Sequence, residues 1–402
     1  MTYGYMEPST GRLPSWLTRP ETVGWIGVAL GVLAFWMAIP PFTARSFVWP
    51  ILLGVAAAAA GIWTVRRGQR KLGWGAVFAG AAGTALGITA THSSTGHLEQ
   101  VFTASLIASM FVFATPLIFG AIGGMFSERS GVVNIGLEGM MLMGAFFGIY
   151  GADKLGSWEL GLVTAIIAGG LTALVHAFFS IQLRADQIVG GTAVNFLALG
   201  VTGYFFFQLY HGANIPANIP RIPNINLHIS GVPFFGPAIG DLNLMTWLAF
   251  LLVPLSYVVM FKTAIGLRIR ACGEHPRAAD TVGINVYAVR YASVILSGML
   301  AALGGAFLSV GFVGTFNENM TAGRGFIALA ALIFGKWRPF GAFGAACLFG
   351  FSTALAFQLP VYSGSLATLF QALPYVLTIV AVAGLIGRSI PPAAVGRPYR
   401  KQ

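Results

Sequence analysis

The polar residues that interrupt an otherwise apolar chain fall in three places where chemistry with a small solute is conceivable. Phe126 to Gly139, FSERSGVVNIGLEG, sets Glu128, Arg129, Ser130, Asn134 and Glu138 between two apolar runs. Gly131, Gly136 and Gly139 allow backbone there that is not regular helix. Asn134 and Glu138 stand four residues apart and share a face if this piece is helical. Asn195, in DQIVGGTAVNFLALG, is a lone amide in an apolar span with Phe196 beside it, and Asn317 and Glu318 stand in SVGFVGTFNENMTAGR. Polar groups at membrane depth are tolerated only when buried in protein or lining a water-filled path. Two readings therefore stay open for Asn134, Glu138, Asn195, Asn317 and Glu318: hydrogen bonds between helices, or contact with a solute. Glu128 and Arg129 read as a structural pair tying helices at the cytoplasmic boundary.

Reaction chemistry finds no support. The six histidines are scattered without metal-ligand spacing, and neither HExxH nor G-x-S-x-G occurs. Gly335-Lys336 is followed by Trp337 with no glycine five positions earlier, so there is no P-loop. No catalytic residue, metal or cofactor is expected in this chain, and it is not expected to be an enzyme.

The elements that position these residues are membrane helices. Of 402 residues 56% are hydrophobic and 9% charged, against roughly 25% charged in soluble domains. Apolar runs occur at about 24–42, 47–65, 73–91, 101–123, 139–152, 158–182, 188–209, 243–262, 291–313, 325–335, 340–358 and 366–387. This predicts an all-α polytopic protein with about 10–12 spanning or half-spanning helices. Runs 139–152 and 325–335 are shorter than the roughly 20 residues a crossing needs, so both are expected to be broken or half-depth helices. The net charge of +11 does not form one basic face, which excludes a nucleic-acid partner. With both termini cytoplasmic, 19 of the 23 Lys and Arg fall on the inner side, leaving only Arg45, Lys154, Arg221 and Arg324 outside. Cys272 and Cys347 imply no disulfide, and the polar N-terminus shows no signal-peptide cleavage pattern.

An internal echo adds to the architecture. Ala121–Phe126, AIGGMF, recurs as Ala302–Phe307, ALGGAF. Each copy is followed by a polar interval and then a short apolar run, and the charge-derived topology sends the two copies through the membrane in opposite directions. That is the pattern of an inverted repeat whose short runs face a shared path.

The longest polar interval with helical character is Ala264 to Arg290, AIGLRIRACGEHPRAADTVGINVYAVR. Its second half places Pro276 near a helix start and puts Ala278, Ala279, Val282 and Gly283 on neighbouring turns, which predicts a short, close-packing helix over 274–284 outside the bilayer. This stretch and S-E-R-S-G-V-V-N-I-G-L-E-G resemble nucleoside-type permease subunits of ABC importers, within the branched-chain amino acid/ribose permease superfamily. The resemblance runs from about Leu98 to Tyr399. It leaves 1–97 as an N-terminal extension of three membrane helices, 98–399 as the permease core with its coupling loop at 264–290, and 400–402 as a tail.

The resemblance implies that Glu274, His275, Pro276, Ala278, Ala279, Asp280 and Gly283 enter a groove of a separate ATPase subunit, which binds the ATP. It also implies a second permease subunit, a substrate-binding lipoprotein above, and a multi-pass place in a bacterial-type cell membrane, among its lipids. With a nucleoside as substrate, Asn134, Glu138, Asn195, Asn317 and Glu318 would bond ribose hydroxyls and base edges while Phe196 stacks on the base. The Pro- and Asn-rich stretch Asn214 to Asp241 is expected outside, as a plain connection or a contact for the binding protein. Simple sugars or branched-chain amino acids are the alternative substrates, and an ion-driven secondary transporter the alternative mechanism.

Overall fold

The structure, a computed structural model, describes residues 19–37, 46–92, 103–212, 218–229, 231–232, 234–358 and 389–401. The run expected at 366–387 and the first 18 residues lie outside the described residues. The chain divides into two compact units, Met1–Ala104 and Ser105–Gln402.

The first unit holds α1 (Pro20–Trp36), α2 (Val48–Arg66) and α3 (Arg70–His92). Small residues let these helices meet backbone to backbone. A Cβ at Gly61 would lie 2.6 Å from the Gly73 carbonyl oxygen, and one at Gly73 equally close to that of Gly61. Trp25, Trp49, Trp74 and Phe78 face outward, as side chains do on helices whose solvent is lipid.

The second unit runs α4 (Ala104–Arg129), α5 (Leu137–Leu155), α6 (Trp158–Ala177), α7 (Gln187–Tyr210), α8 (Phe235–Ile239), α9 (Leu244–Lys262), α10 (Ala264–Glu274), α11 (Pro276–Thr281), α12 (Val286–Ala306), α13 (Arg324–Phe334) and α14 (Pro339–Gln358). Helices α6 and α12 pass without a break into π-helical turns, Phe178–Gln182 and Phe307–Val313. Among the described residues seven helices are long and apolar enough to cross a membrane: α2, α4, α6, α7, α9, α12 and α14, with the π turns extending α6 and α12.

The run 139–152 forms a longer helix than expected. Helix α5 has 19 residues, about 28 Å, because Leu137, Glu138 and Asp153–Leu155 extend it. Asp153 accepts the Tyr210 hydroxyl at 2.8 Å and lies 3.0 Å from Lys154, so these charges are accommodated inside the helix. Helix α13 keeps 11 residues, half a crossing. The described part of the Pro- and Asn-rich stretch includes a small hairpin, β1 (Asn224–Asn226) antiparallel to β2 (Asp241–Asn243) with Asn224 opposite Asn243.

Helices α4, α5, α6 and α12 form the centre of this unit. Ile118, Ile122, Met125, Phe146 and Phe307 are fully or almost fully buried there. Each copy of the hexapeptide repeat meets the helix that carries the other copy, and the contacts are reciprocal. A Cβ at Gly123 would sit 2.7 Å from the Ser297 carbonyl oxygen, and one at Gly304 2.9 Å from that of Pro116. Gly304 lies 181 positions after Gly123, Ser297 lies 181 after Pro116, and Ala302 lies 181 after Ala121. Contacts exchanged at one constant offset are what a two-fold axis between the copies produces.

Candidate functional site

Two polar centres are built on this core. The first is the junction where α4 stops and α5 begins. Gly131, at φ +98°, turns the chain out of α4, and residues 131–136 are not helical. Irregular backbone at depth must find partners within the protein, and here they come from other helices. The Val133 N–H donates to Gln187 Oε1 at 2.7 Å, and His176 Nε2 donates to the Val133 carbonyl at 2.9 Å. Asn195 Nδ2 donates to the Ile135 carbonyl at 3.0 Å while its Oδ1 accepts the Gly139 N–H at 2.8 Å.

Asn134 is in the irregular stretch, so it does not share a helical face with Glu138 as the four-residue spacing suggested. Its amide donates to Ser297 Oγ at 2.9 Å on α12. Glu138 turns the other way, into the second repeat. One carboxylate oxygen accepts the Thr321 hydroxyl at 2.6 Å and the Gly323 N–H at 2.8 Å; the other accepts the Gly325 N–H at 2.6 Å. A carboxylate at the start of α5 thus caps the N-terminus of α13, where the helix dipole favours negative charge. Phe316 is buried against Phe146 and Phe206, whereas Asn317 and Glu318 are exposed. Phe196 is 70% exposed on α7, whereas its neighbour Asn195 is turned into the junction.

The second centre lies at the same C-terminal end of α4, on its last two residues. Glu128 and Arg129 do not pair with each other; both reach Trp337, in the link between α13 and α14. The Trp337 indole N–H donates to Glu128 Oε2 at 2.6 Å, and Arg129 donates through Nε and Nη2 to the Trp337 carbonyl at 3.1 and 3.0 Å. Sequence reasoning passed over Trp337, whose signal was a bulky ring between two charges, Lys336 and Arg338, after Gly335. Trp337→Phe keeps the ring and removes the donor, leaving a buried carboxylate short of its partner. The expected loss is about 1–3 kcal/mol, read as a lower unfolding temperature of the purified protein in detergent.

Beside this latch lies the polar stretch at 264–290. It forms two helices broken at His275: Glu274 ends α10, Pro276 takes the first position of α11, and α11 has six residues. Gly283, at φ +85°, closes it, with Gly283 N–H donating to Asp280 O and Ile284 N–H to Ala279 O, a Schellman cap. Glu274, His275, Arg277, Ala278 and Gly283 are exposed, with Val282 76% so. Ala279 instead faces inward, 3% exposed against Cys272, Val286 and Tyr399. Burial pushes the Cys272 thiol up to about 11, which keeps it protonated and inert near neutrality.

A family model described as the permease component of the branched-chain amino acid transport system matches residues 106–382. The chain belongs to this permease family. The permease is 45% identical over 313 residues to the guanosine ABC transporter permease protein NupQ of Bacillus subtilis, covering 74% of this chain and 96% of that protein. It is 42% identical, with the same coverage, to the nucleoside ABC transporter permease protein NupC of Lactococcus lactis. A putative glucose ABC transporter permease protein of Haloferax volcanii, TsgC13, is 37% identical over 272 residues, 66% of this chain and 80% of that protein. No solved structure matches the chain. The permease is a multi-pass membrane protein and a transport subunit, not an enzyme, and a permease of this kind works with an ATPase and the other components of an ABC system.

Proposed function

We propose that this permease imports nucleosides, its access alternating between the two sides of the membrane as a separate ATPase subunit binds and hydrolyses ATP. The observation that carries the substrate is the 45% and 42% identity, across 96% of their length, to permeases named for guanosine and for nucleosides. The 37% identity to a putative glucose permease keeps a simple sugar as the second reading. The family model's own description keeps branched-chain amino acids as a further reading, while the ABC transporter names of the relatives count against an ion-driven mechanism.

Both termini and the coupling loop belong in the cytoplasm in this reading. Arg129, the 264–290 stretch, Trp337 with its flanking charges, and residues 389–401 all meet at one end of the second unit, which supports this for the coupling loop and the C-terminal segment. A second permease subunit and a substrate-binding lipoprotein complete the assembly. The exposed faces of Glu274, His275, Pro276, Ala278 and Gly283 are offered to the ATPase groove. Ala279 and Asp280 act from behind, through Tyr399. Asn134, Glu138 and Asn195 serve the path by holding α5 and the half-helix α13 in place, which leaves the exposed Asn317, Glu318 and Phe196 as the groups open to the solute.

The test is uptake of labelled guanosine, uridine, adenosine, ribose, glucose and leucine into vesicles holding the assembled complex, with and without ATP. ATP-dependent uptake of nucleosides alone is expected. Sugar or leucine uptake would keep the importer and replace the substrate. Uptake that follows an ion gradient and ignores ATP would overturn the mechanism.

A further inference from the structure

The last described segment, Ser389 to Lys401, has no regular secondary structure, yet its backbone is tied to three separate parts of the second unit. The Ala394 N–H donates to the Gly273 carbonyl at 2.8 Å, and the Gly396 N–H to the Gly131 carbonyl at 3.3 Å. Arg290, 1% exposed, donates through Nε to the Ser130 carbonyl at 3.1 Å and through Nη1 to the Arg397 carbonyl at 3.2 Å. The Tyr287 hydroxyl donates to the Tyr399 carbonyl at 3.4 Å, and the two rings stand 5.5 Å apart. The buried Tyr399 ring in turn forms the floor on which Ala279 of α11 rests. Burial, then the bond to the Asp280 carboxylate, pushes the Tyr399 phenol up to about 12, so it stays protonated and donates to Asp280.

This strap and the coupling stretch enclose a cleft of about 550 Å³. One wall is Glu274 to Ala278, with Arg277; the other is the strap, with Arg397 and Arg400. The acidic groups facing it are already committed. Glu274 Oε1 lies 4.0 Å from Arg129 and its Oε2 accepts the Ala393 N–H at 3.2 Å, while Asp280 is held by Tyr399. The three arginines are exposed, with His275 beside them. A concave, half-polar surface with an uncompensated positive balance selects an anionic partner and speeds its encounter.

We propose that the C-terminal strap is half of the docking site for the ATPase subunit: with α11 it forms a basic cleft that receives an acidic projection of that subunit. This rests on the coupling reading of α11 and extends it. The docking element is a composite of two chain segments 120 residues apart, and α11 cannot shift without carrying the strap, and through Arg290 the start of α12, with it.

The experiment measures binding of the cognate ATPase subunit to the permease in nanodiscs across a salt series. The variants are R397E/R400E and R277E, with R184E, an exposed arginine outside the cleft, as the control. The Arg397 contact to Arg290 uses the backbone carbonyl, so the reversed side chains leave the strap seated. About tenfold weaker binding for R397E/R400E and for R277E, with a flatter salt dependence and R184E unchanged, is expected. Loss with R277E alone would overturn the strap's part and keep the coupling role of α11. Normal binding in both would overturn the coupling reading itself. Normal ATPase binding with loss of affinity for vesicles containing anionic lipid would assign the cleft to a headgroup and overturn the proposal.

Discussion

Glu138→Ala is expected to abolish ATP-driven uptake and to lower the unfolding temperature of the purified permease by several degrees. The carboxylate accepts from Thr321, Gly323 and Gly325, all within the second repeat, at 2.6 to 2.8 Å. Removing it leaves a buried hydroxyl and two N–H groups of a helix N-terminus without acceptors, at about 1–3 kcal/mol for each unsatisfied group. Glu138→Gln should fall between the two, since its amide oxygen still accepts while its NH₂ meets donors. The same data separate a latch from a solute contact. A contact residue would change KM at constant stability, whereas a latch loses rate and stability together. Wild-type uptake and stability in the alanine variant would remove Glu138 from both roles.

Gly305→Ala is expected to be the most damaging single-methyl change in the core. A Cβ there would stand 1.8 Å from the Met141 carbonyl oxygen and 2.8 Å from the Ala145 nitrogen, both backbone atoms of α5 that no rotamer change can clear. The partner position behaves alike: a Cβ at Gly144 would lie 2.2 Å from the Ala302 carbonyl oxygen of α12. Separating the helices enough to admit the methyl costs about 3 kcal/mol or more, and little folded protein should elute at the expected size in detergent. Gly190→Ala is the control. Nothing lies within 4 Å of a Cβ at that position, and the higher helix propensity of alanine should leave stability unchanged or raised by up to about 1 kcal/mol. Equal yields of the two variants would show that α5 and α12 are less closely packed than this.

Local features were the legible ones. Pro276 marks the start of α11 from the sequence alone, because capping chemistry depends on a few neighbouring residues, whereas Gly283, read as part of a helix over 274–284, instead caps a shorter one that ends at Thr281. The hexapeptide echo, a self-comparison needing no tertiary knowledge, pointed to the crossing that Gly123 and Gly304 make. What escaped depends on which side of a helix meets which neighbour. Asn134 and Glu138 seemed to share a face, but Gly131 and the four residues after Val132 leave the first of them outside the helix. Ala279 fitted a groove-entering surface by size, yet its methyl is covered by Tyr399, a residue 120 positions away that periodicity cannot connect to it. Glu128 and Arg129 read as partners because they adjoin in sequence; adjacent helical residues diverge by about 100°, so each found Trp337 by a different atom. The N-terminal three-helix unit offered no motif and offers no polar centre among its described residues.

The reciprocal crossing of Gly123 on Ser297 and Gly304 on Pro116 bears on how the second unit can move. Atoms on or near a two-fold axis keep their distances when the two halves rotate oppositely about it, so this contact can persist unchanged through a rocking motion whose amplitude grows toward both ends. Glycine suits such a point because a bare backbone contact has no side-chain interdigitation to break. If access alternates as proposed above, the crossing is its fulcrum. A displacement of α11 and its strap at one end is returned at the far end with opposite sign, the motion that closing one mouth of a path while opening the other requires.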